Sequence, residues 1–226
     1  MGFRFFILPF VVLLTTAASI WWYYSPGTGL PIITTLLVGY GAAAYWLDTH
    51  RSDWWRFSGT PWLLASSILL FSLLLSHGWI LVGLLGVMVI LEAIYWRYVV
   101  TYTDVTATYT PFSLERLSFN LNFLIVFFIS GALYGLRTFL DISLWIVTPV
   151  FAAVLALIIL QRLWITKNYN GTAWRLAVSI WLSTVEIFLL ISFLPFDFRI
   201  LAFIATAVYY GLITLGSKDS ETTKRV

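Results

Sequence analysis

The chain of 226 residues contains no cysteine, and only 10% of its residues are Asp, Glu, Lys or Arg. Without cysteine, a disulfide framework, a thiolate metal site and a cysteine nucleophile are all excluded. The charged fraction lies well below the roughly 25% that soluble domains carry. Hydrophobic residues instead make up 61% of the chain, so the composition predicts a membrane protein.

Lysine is missing from every long apolar segment, which excludes a retinal Schiff base inside the membrane. The sequence also lacks the G-x-S-x-G, H-E-x-x-H and glycine-rich phosphate-binding motifs, and it has no paired aspartate-rich motifs of the kind that prenyl-phosphate transferases carry. Enzymes with these familiar motifs are therefore excluded, whereas an enzyme with an unfamiliar site is not.

The apolar segments are continuous, and each is close to the ~20 residues that a helix needs to cross a bilayer. Transmembrane β-strands would be about half as long and would alternate apolar with polar residues. We therefore predict an all-α, polytopic transmembrane helix bundle. The predicted spans, about eight in number, are 5–24, 30–47, 57–76, 79–100, 117–136, 142–164, 174–195 and 198–215. In this interpretation residues 1–216 form a single integral membrane domain, and residues 217–226 form a short polar cytoplasmic tail.

The thirteen Lys and Arg residues are distributed unequally between the two sides of these spans. All except Arg137 and Arg199 fall on the side of the N-terminus, which the positive-inside rule makes cytoplasmic. We therefore expect both termini in the cytoplasm and the protein in the plasma (cell) membrane. The turns on the outer side are short, so the helices should pair as four hairpins.

Two features near the span ends bear on this arrangement. Arg4, the apolar run after it and a group of small residues ending at Ala18 are also typical of a signal peptide, and cleavage of residues 1–18 would leave seven spans. The run continues to a turn signal after Tyr24, which favours an uncleaved helix. At the end of the fourth span, Tyr95 and its neighbours are expected to anchor the helix at the headgroups.

Two glutamates, Glu92 and Glu186, are the acidic residues within the predicted spans, whose arginines all lie within four residues of a span end. A charge at the bilayer centre costs at least ~2.5 kcal/mol, so such residues mark ligand or proton sites or interhelical braces. Ser179, Ser183 and Glu186 follow Arg175 at helical spacing and form one polar stripe, which we expect to face the interior of the bundle.

Glu92 lies about two turns from the cytoplasmic end of the fourth span. It is expected to reach polar residues that enter the fifth span from the same side, or to pair with a nearby arginine. The candidate partners are Asn120, Asn122, Arg97 and Arg116. Glu92 and Asn122 are therefore added to Glu186, Ser183 and Ser179 as a hypothetical ligand or proton site, with a purely structural role as the alternative.

The loop from Asp48 to Asp53 is the one place where carboxylates and an imidazole gather. Asp48, His50 and Asp53 have the chemistry to hold a hard divalent cation or to supply a general base. Short loops of this composition are usually only solvated, so we predict no metal here.

Three functions are compatible with these features. The first is a non-catalytic membrane subunit or scaffold, which fits the missing catalytic motifs. The second is a small transporter or channel that uses Glu186, and the third is a lipid-phosphate-modifying enzyme that uses the 48–53 loop with cytoplasmic-side arginines. No cofactor is expected. The expected partners are membrane lipids and other membrane subunits, and a net charge of +3 does not predict nucleic-acid binding.

Overall fold

The computed structural model of the protein describes residues 54–104, 113–166 and 170–223, and these residues form α-helices joined by short turns, without β-strands. The six described helices are α1 Trp54–Ser72, α2 Gly78–Asp104, α3 Ser113–Leu140, α4 Leu144–Thr166, α5 Gly171–Ile191 and α6 Phe198–Thr223. The predicted all-α class is confirmed for these ranges. The predicted spans 5–24 and 30–47 lie outside the described residues.

Five of the described helices are long and apolar enough to cross a membrane. Their candidate spans are Gly78–Val99, Ser113–Leu140, Leu144–Leu163, Gly171–Ile191 and Phe198–Gly216. The exception is α1, which lies where the span 57–76 was predicted but contains an arginine, a proline and several serines. At the other end of the chain, α6 continues through Thr223, so most of the predicted polar tail prolongs a helix.

Short turns join α1 to α2, α3 to α4 and α5 to α6, and polar side chains cap two of the helix starts. The Ser143 hydroxyl accepts a hydrogen bond from the Trp145 amide at the start of α4, at 3.3 Å. The Asp197 carboxylate accepts one from the Arg199 amide at the start of α6, at 2.8 Å. Side-chain oxygens satisfy amides that have no partner within the first turn of a helix. These caps define where α4 and α6 begin.

The chain divides into two compact units, and the boundary between Asn122 and Phe123 falls within α3. In the first unit α1 packs against α2. Almost every described side chain of α1 between Ser58 and Leu69 is buried, hydroxyl groups included. Two of its buried serines donate to carbonyl groups of the preceding turn: Ser67 to Leu64 at 2.9 Å and Ser72 to Leu69 at 2.6 Å.

In the second unit α5 packs against both α4 and α6. Its centre is an aromatic stack in which Phe188 lies between Tyr134 and Phe151, with ring centroids 4.4 and 4.0 Å apart. The Tyr134 hydroxyl donates a hydrogen bond to the Phe188 carbonyl at 2.8 Å. The Trp181 indole donates to the Ala152 carbonyl at 2.8 Å. The first bond joins α3 to α5 and the second joins α5 to α4, so together they fix the packing of α5 in this unit.

Candidate functional site

The polar stripe on α5 lies on the surface of the described structure. Glu186, Ser179 and Arg175 are exposed, and Ser183 is half-buried. Glu186 stands fifteen residues after the first residue of α5 and five before the last, which places it about 7.5 Å from the end of the helix and away from its middle. The predicted orientation toward the bundle interior is therefore wrong for the described residues. Whether these residues bind a ligand stays a prediction.

The opposite face of α5 is the one that packs into the second unit, and its composition explains the orientation. The buried residues are Ala177, Ile180, Thr184, Phe188 and Ile191. They recur at steps of three and four, so α5 carries two stripes of the same period. The apolar stripe is buried because it contributes Phe188 to the aromatic stack and removes more apolar surface from its surroundings.

Glu92 has the opposite environment, since it is 0% exposed at the side of α2 that faces the interior of the first unit. Asn122 is also buried, at 3% exposure. The other three predicted partners of Glu92, which are Arg97, Arg116 and Asn120, are exposed. Among the candidates from the sequence, Asn122 is therefore the one that is buried, as Glu92 is.

Three further buried hydroxyl residues surround this position. Tyr95 follows Glu92 by one helical turn and is within electrostatic range of it. The Tyr95 hydroxyl lies close enough to interact with the hydroxyls of Thr60 and Ser118, which are both buried. We call Thr60, Glu92, Tyr95, Ser118 and Asn122 the Glu92 cluster.

Several oxygen atoms of the Glu92 cluster make no hydrogen bond within the described part of the chain. They are Tyr95 Oη, Ser118 Oγ and Asn122 Oδ1. Tyr95 and Ser118 are neighbours, but their hydroxyl groups do not reach hydrogen-bonding geometry. A buried polar atom that lacks a partner costs about 1–3 kcal/mol, so several in one cluster call for an explanation.

Sequence reasoning missed the hydroxyl groups of this cluster. Tyr95 was expected among the headgroups with its neighbours, yet both Tyr95 and Trp96 are buried, and Tyr98 is the exposed one. Spacing was the available signal: Tyr95 follows Glu92 by three residues, and Asn122 follows Ser118 by four. Such pairs share a helix face, and a polar pair within an apolar span is expected to face protein.

The predicted loop residues Asp48, His50 and Asp53 lie outside the described residues. Within the part that the structure describes, no group of three or more His, Asp or Glu residues is arranged to hold a metal ion. Of the arginines of the enzyme hypothesis, Arg97, Arg116 and Arg175 are exposed there, and Arg162 is half-buried beside Tyr209.

Comparison with known proteins finds no match to a protein-family model, to a curated protein or to a solved structure. The class of the protein therefore rests on the chain itself. The five long apolar helices among the described residues are those of a helical membrane protein.

Proposed function

We propose that the protein is a non-catalytic subunit or scaffold of a membrane complex, with both termini in the cytoplasm of the cell that makes it. One observation carries the proposal: α5 exposes a carboxyl group and a hydroxyl group, those of Glu186 and Ser179, within an apolar candidate span. Lipid tails offer neither group a hydrogen bond. A protein surface that covers the stripe can offer hydrogen bonds to both groups.

The energetics favour a partner helix over lipid at this stripe. Placing a carboxylate at the bilayer centre costs about 2.5–3.5 kcal/mol, and this cost falls toward the headgroups. Glu186 lies midway between the middle of α5 and its last residue, so part of this cost applies to it. Interhelical hydrogen bonds in membranes contribute about 0.6 kcal/mol on average and up to ~1.7 kcal/mol. A partner helix that presents a hydrogen-bond donor opposite Glu186 removes the cost of exposing the carboxylate to lipid. It also adds the free energy of an interhelical hydrogen bond.

A second exposed surface, on α2, fits close approach of a helix. Gly83 and Gly86 are exposed, and a Cβ atom added to either would meet no atom within 4 Å. Small residues on a membrane helix let another backbone come near, and their exposure supports a role in assembly.

The same positions weaken the alternatives. A transporter that used Glu186 would need this carboxyl in the interior, beside a path for the solute, whereas it lies on an outer face. A lipid-phosphate enzyme would need arginines that converge, whereas three of them are exposed on separate helices. We propose no catalytic residue.

Cross-linking from single cysteines tests the proposal, and the lack of native cysteine makes every introduced one unique. Ser179→Cys places the label on the stripe. Val178→Cys is the matched control, because Val178 is also exposed at nearly the same depth but points about 100° away around the helix. Each variant is labelled with a benzophenone maleimide in membranes of the native host and irradiated.

We expect Ser179→Cys to give one discrete adduct with a transmembrane segment of another protein that carries a hydrogen-bonding side chain. Val178→Cys should react with lipid. Adding Glu186→Leu should reduce the Ser179→Cys adduct several-fold, while Glu186→Gln, which keeps a hydrogen-bonding group, should preserve it. Labelling of lipid alone from Ser179→Cys would refute the proposal. An adduct with residues 1–53 of the same chain would refute it too, because the stripe would then be an internal contact.

A further inference from the structure

The Glu92 cluster offers oxygen atoms from three helices. Thr60 lies on α1, Glu92 and Tyr95 lie on α2, and Ser118 and Asn122 lie on α3, all within the first unit. All five are buried. The interaction of Tyr95 with Thr60 and Ser118 shows that the three helices meet at this level.

Helix geometry places Glu92 and Asn122 at nearly the same depth. Successive spans run in opposite directions. Residues of α2 therefore lie farther from the 105–112 connection as their number falls, and residues of α3 lie farther from it as their number rises. Glu92 lies three residues, or about 4.5 Å along the axis of α2, from Tyr95. Asn122 lies four residues, or about 6 Å along the axis of α3, from Ser118. Since Tyr95 and Ser118 are neighbours, Glu92 and Asn122 differ in depth by about 1.5 Å.

The ligand set is chemically uniform. It consists of one carboxylate, one amide carbonyl and three hydroxyl oxygens, with no nitrogen or sulfur ligand among them. Hard cations prefer such oxygen ligands. One carboxylate supplies a single negative charge, which a monovalent cation neutralises, whereas a divalent cation would leave a net charge buried in the membrane.

The oxygen atoms that lack hydrogen bonds distinguish a metal cation from a proton. A proton on Glu92 could be donated to one acceptor only. Tyr95 Oη, Ser118 Oγ and Asn122 Oδ1 all lack a partner within the described residues, and a cation among them would be coordinated by several oxygens at once. Each satisfied atom relieves a desolvation penalty.

We propose that the Glu92 cluster is an intramembrane binding site for a monovalent alkali cation, with Na⁺ as the ion to test. Glu92 supplies the charge, Asn122 Oδ1 and the hydroxyl oxygens complete the coordination, and the ion ties α1, α2 and α3 together. The site is independent of the polar stripe on α5, so either proposal can fail without the other.

Thermal unfolding of the purified full-length protein in detergent measures the binding. Tryptophan fluorescence reports the transition in NaCl, and N-methylglucamine chloride of equal ionic strength is the reference. A ligand present at 100 times its Kd raises Tm by about 5–10 °C for a chain of this size. We expect a saturable rise with Na⁺ in the wild type, and direct binding of radioactive ²²Na⁺ at one ion per chain.

The variants separate coordination from general stability. Asn122→Ala and Ser118→Ala should abolish the Na⁺-dependent rise in Tm and lower ²²Na⁺ binding at least tenfold. Asn120→Ala removes an exposed amide two residues from Asn122 and should leave both measurements unchanged. Glu92→Gln should also abolish binding, and if that variant does not fold, the Ser118 and Asn122 variants still decide. Equal Tm values in the two salts, or a rise in Tm at low pH without ²²Na⁺ binding, would overturn the proposal.

Discussion

At the scale of single residues, whether a polar group in this protein is buried or exposed depends on the helices that lie opposite it. Its position in an apolar segment does not decide this. Glu92 and Glu186 look alike in sequence, each a lone carboxyl within about twenty apolar residues. One is fully buried among hydroxyl groups and the other is exposed. The difference arises from the neighbouring helices, which the sequence around each glutamate does not specify.

Arg137 illustrates a polar residue with a structural role that its partners make clear. Its guanidinium donates a hydrogen bond to the Ser192 carbonyl, which follows the last residue of α5, and lies 5.7 Å from the centre of the Phe193 ring. A cation at the C-terminal end of a helix also interacts favourably with the helix dipole. We expect Arg137→Gln to lower the free energy of unfolding by about 1.5–3 kcal/mol, the range for hydrogen bonds to charged groups, as measured by thermal unfolding in detergent.

Arg199→Gln is the control for that measurement. Arg199 is exposed, and its backbone amide, which the substitution keeps, makes the bond to Asp197. Its guanidinium also lies 5.3 Å from the centre of the Phe198 ring, a contact of the kind that Arg137 makes too. Its change in stability should therefore stay within about 1 kcal/mol, the contribution of such a contact at an exposed site. Equal effects of the two substitutions would show that the Arg137 bond contributes nothing specific.

At the scale of the helix, length and composition predict where helices lie, and packing decides which face is buried. The predicted segments from 57 onward all coincide with described helices, because a run of apolar residues in a membrane satisfies its backbone only as a helix. The buried face of α5 could not be predicted, because its polar and apolar stripes have the same period. The hydroxyl groups around Glu92 could not be assembled from sequence either, since they come from three helices.

The contact between α5 and α6 gives a prediction at this scale. At Gly216, an added Cβ would lie 2.8 Å from Leu176 Cδ1 and 2.9 Å from Leu176 Cδ2, closer than real Cβ contacts. The flexible Leu176 side chain can shift for an alanine, but not for a branched residue. We expect Gly216→Val to lower the free energy of unfolding by about 1–3 kcal/mol through overpacking.

Gly211, on the same helix, supplies the opposite case. An added Cβ there meets no atom within 4 Å, so Gly211→Ala should raise stability by up to about 1 kcal/mol through helix propensity alone. Tm values of the two variants in detergent, compared with the wild type, test both signs. A stabilising Gly216→Val would show that α5 and α6 do not approach closely at this point.

At the scale of the whole molecule, charge distribution gives the orientation that we propose. Because all Lys and Arg residues except Arg137 and Arg199 fall on one side of the predicted spans, reporter fusions at Val226 and His50 should report the cytoplasm, and a fusion at His77 the opposite side. Alkaline phosphatase and fluorescent-protein fusions measure this directly. A signal from the outer side at Val226 would contradict the eight-span arrangement, whereas loss of residues 1–18 from the mature chain would support the seven-span alternative.

The composition of α1 has a consequence for how the protein is made. A segment with an arginine, a proline and several serines gains little from entering lipid by itself, and in the folded protein its hydroxyl groups are enclosed. α1 leaves the ribosome before α2, the helix that packs against it. We therefore expect α1 to enter the bilayer together with α2 and not before it, so that the translocation machinery releases the two helices as a pair.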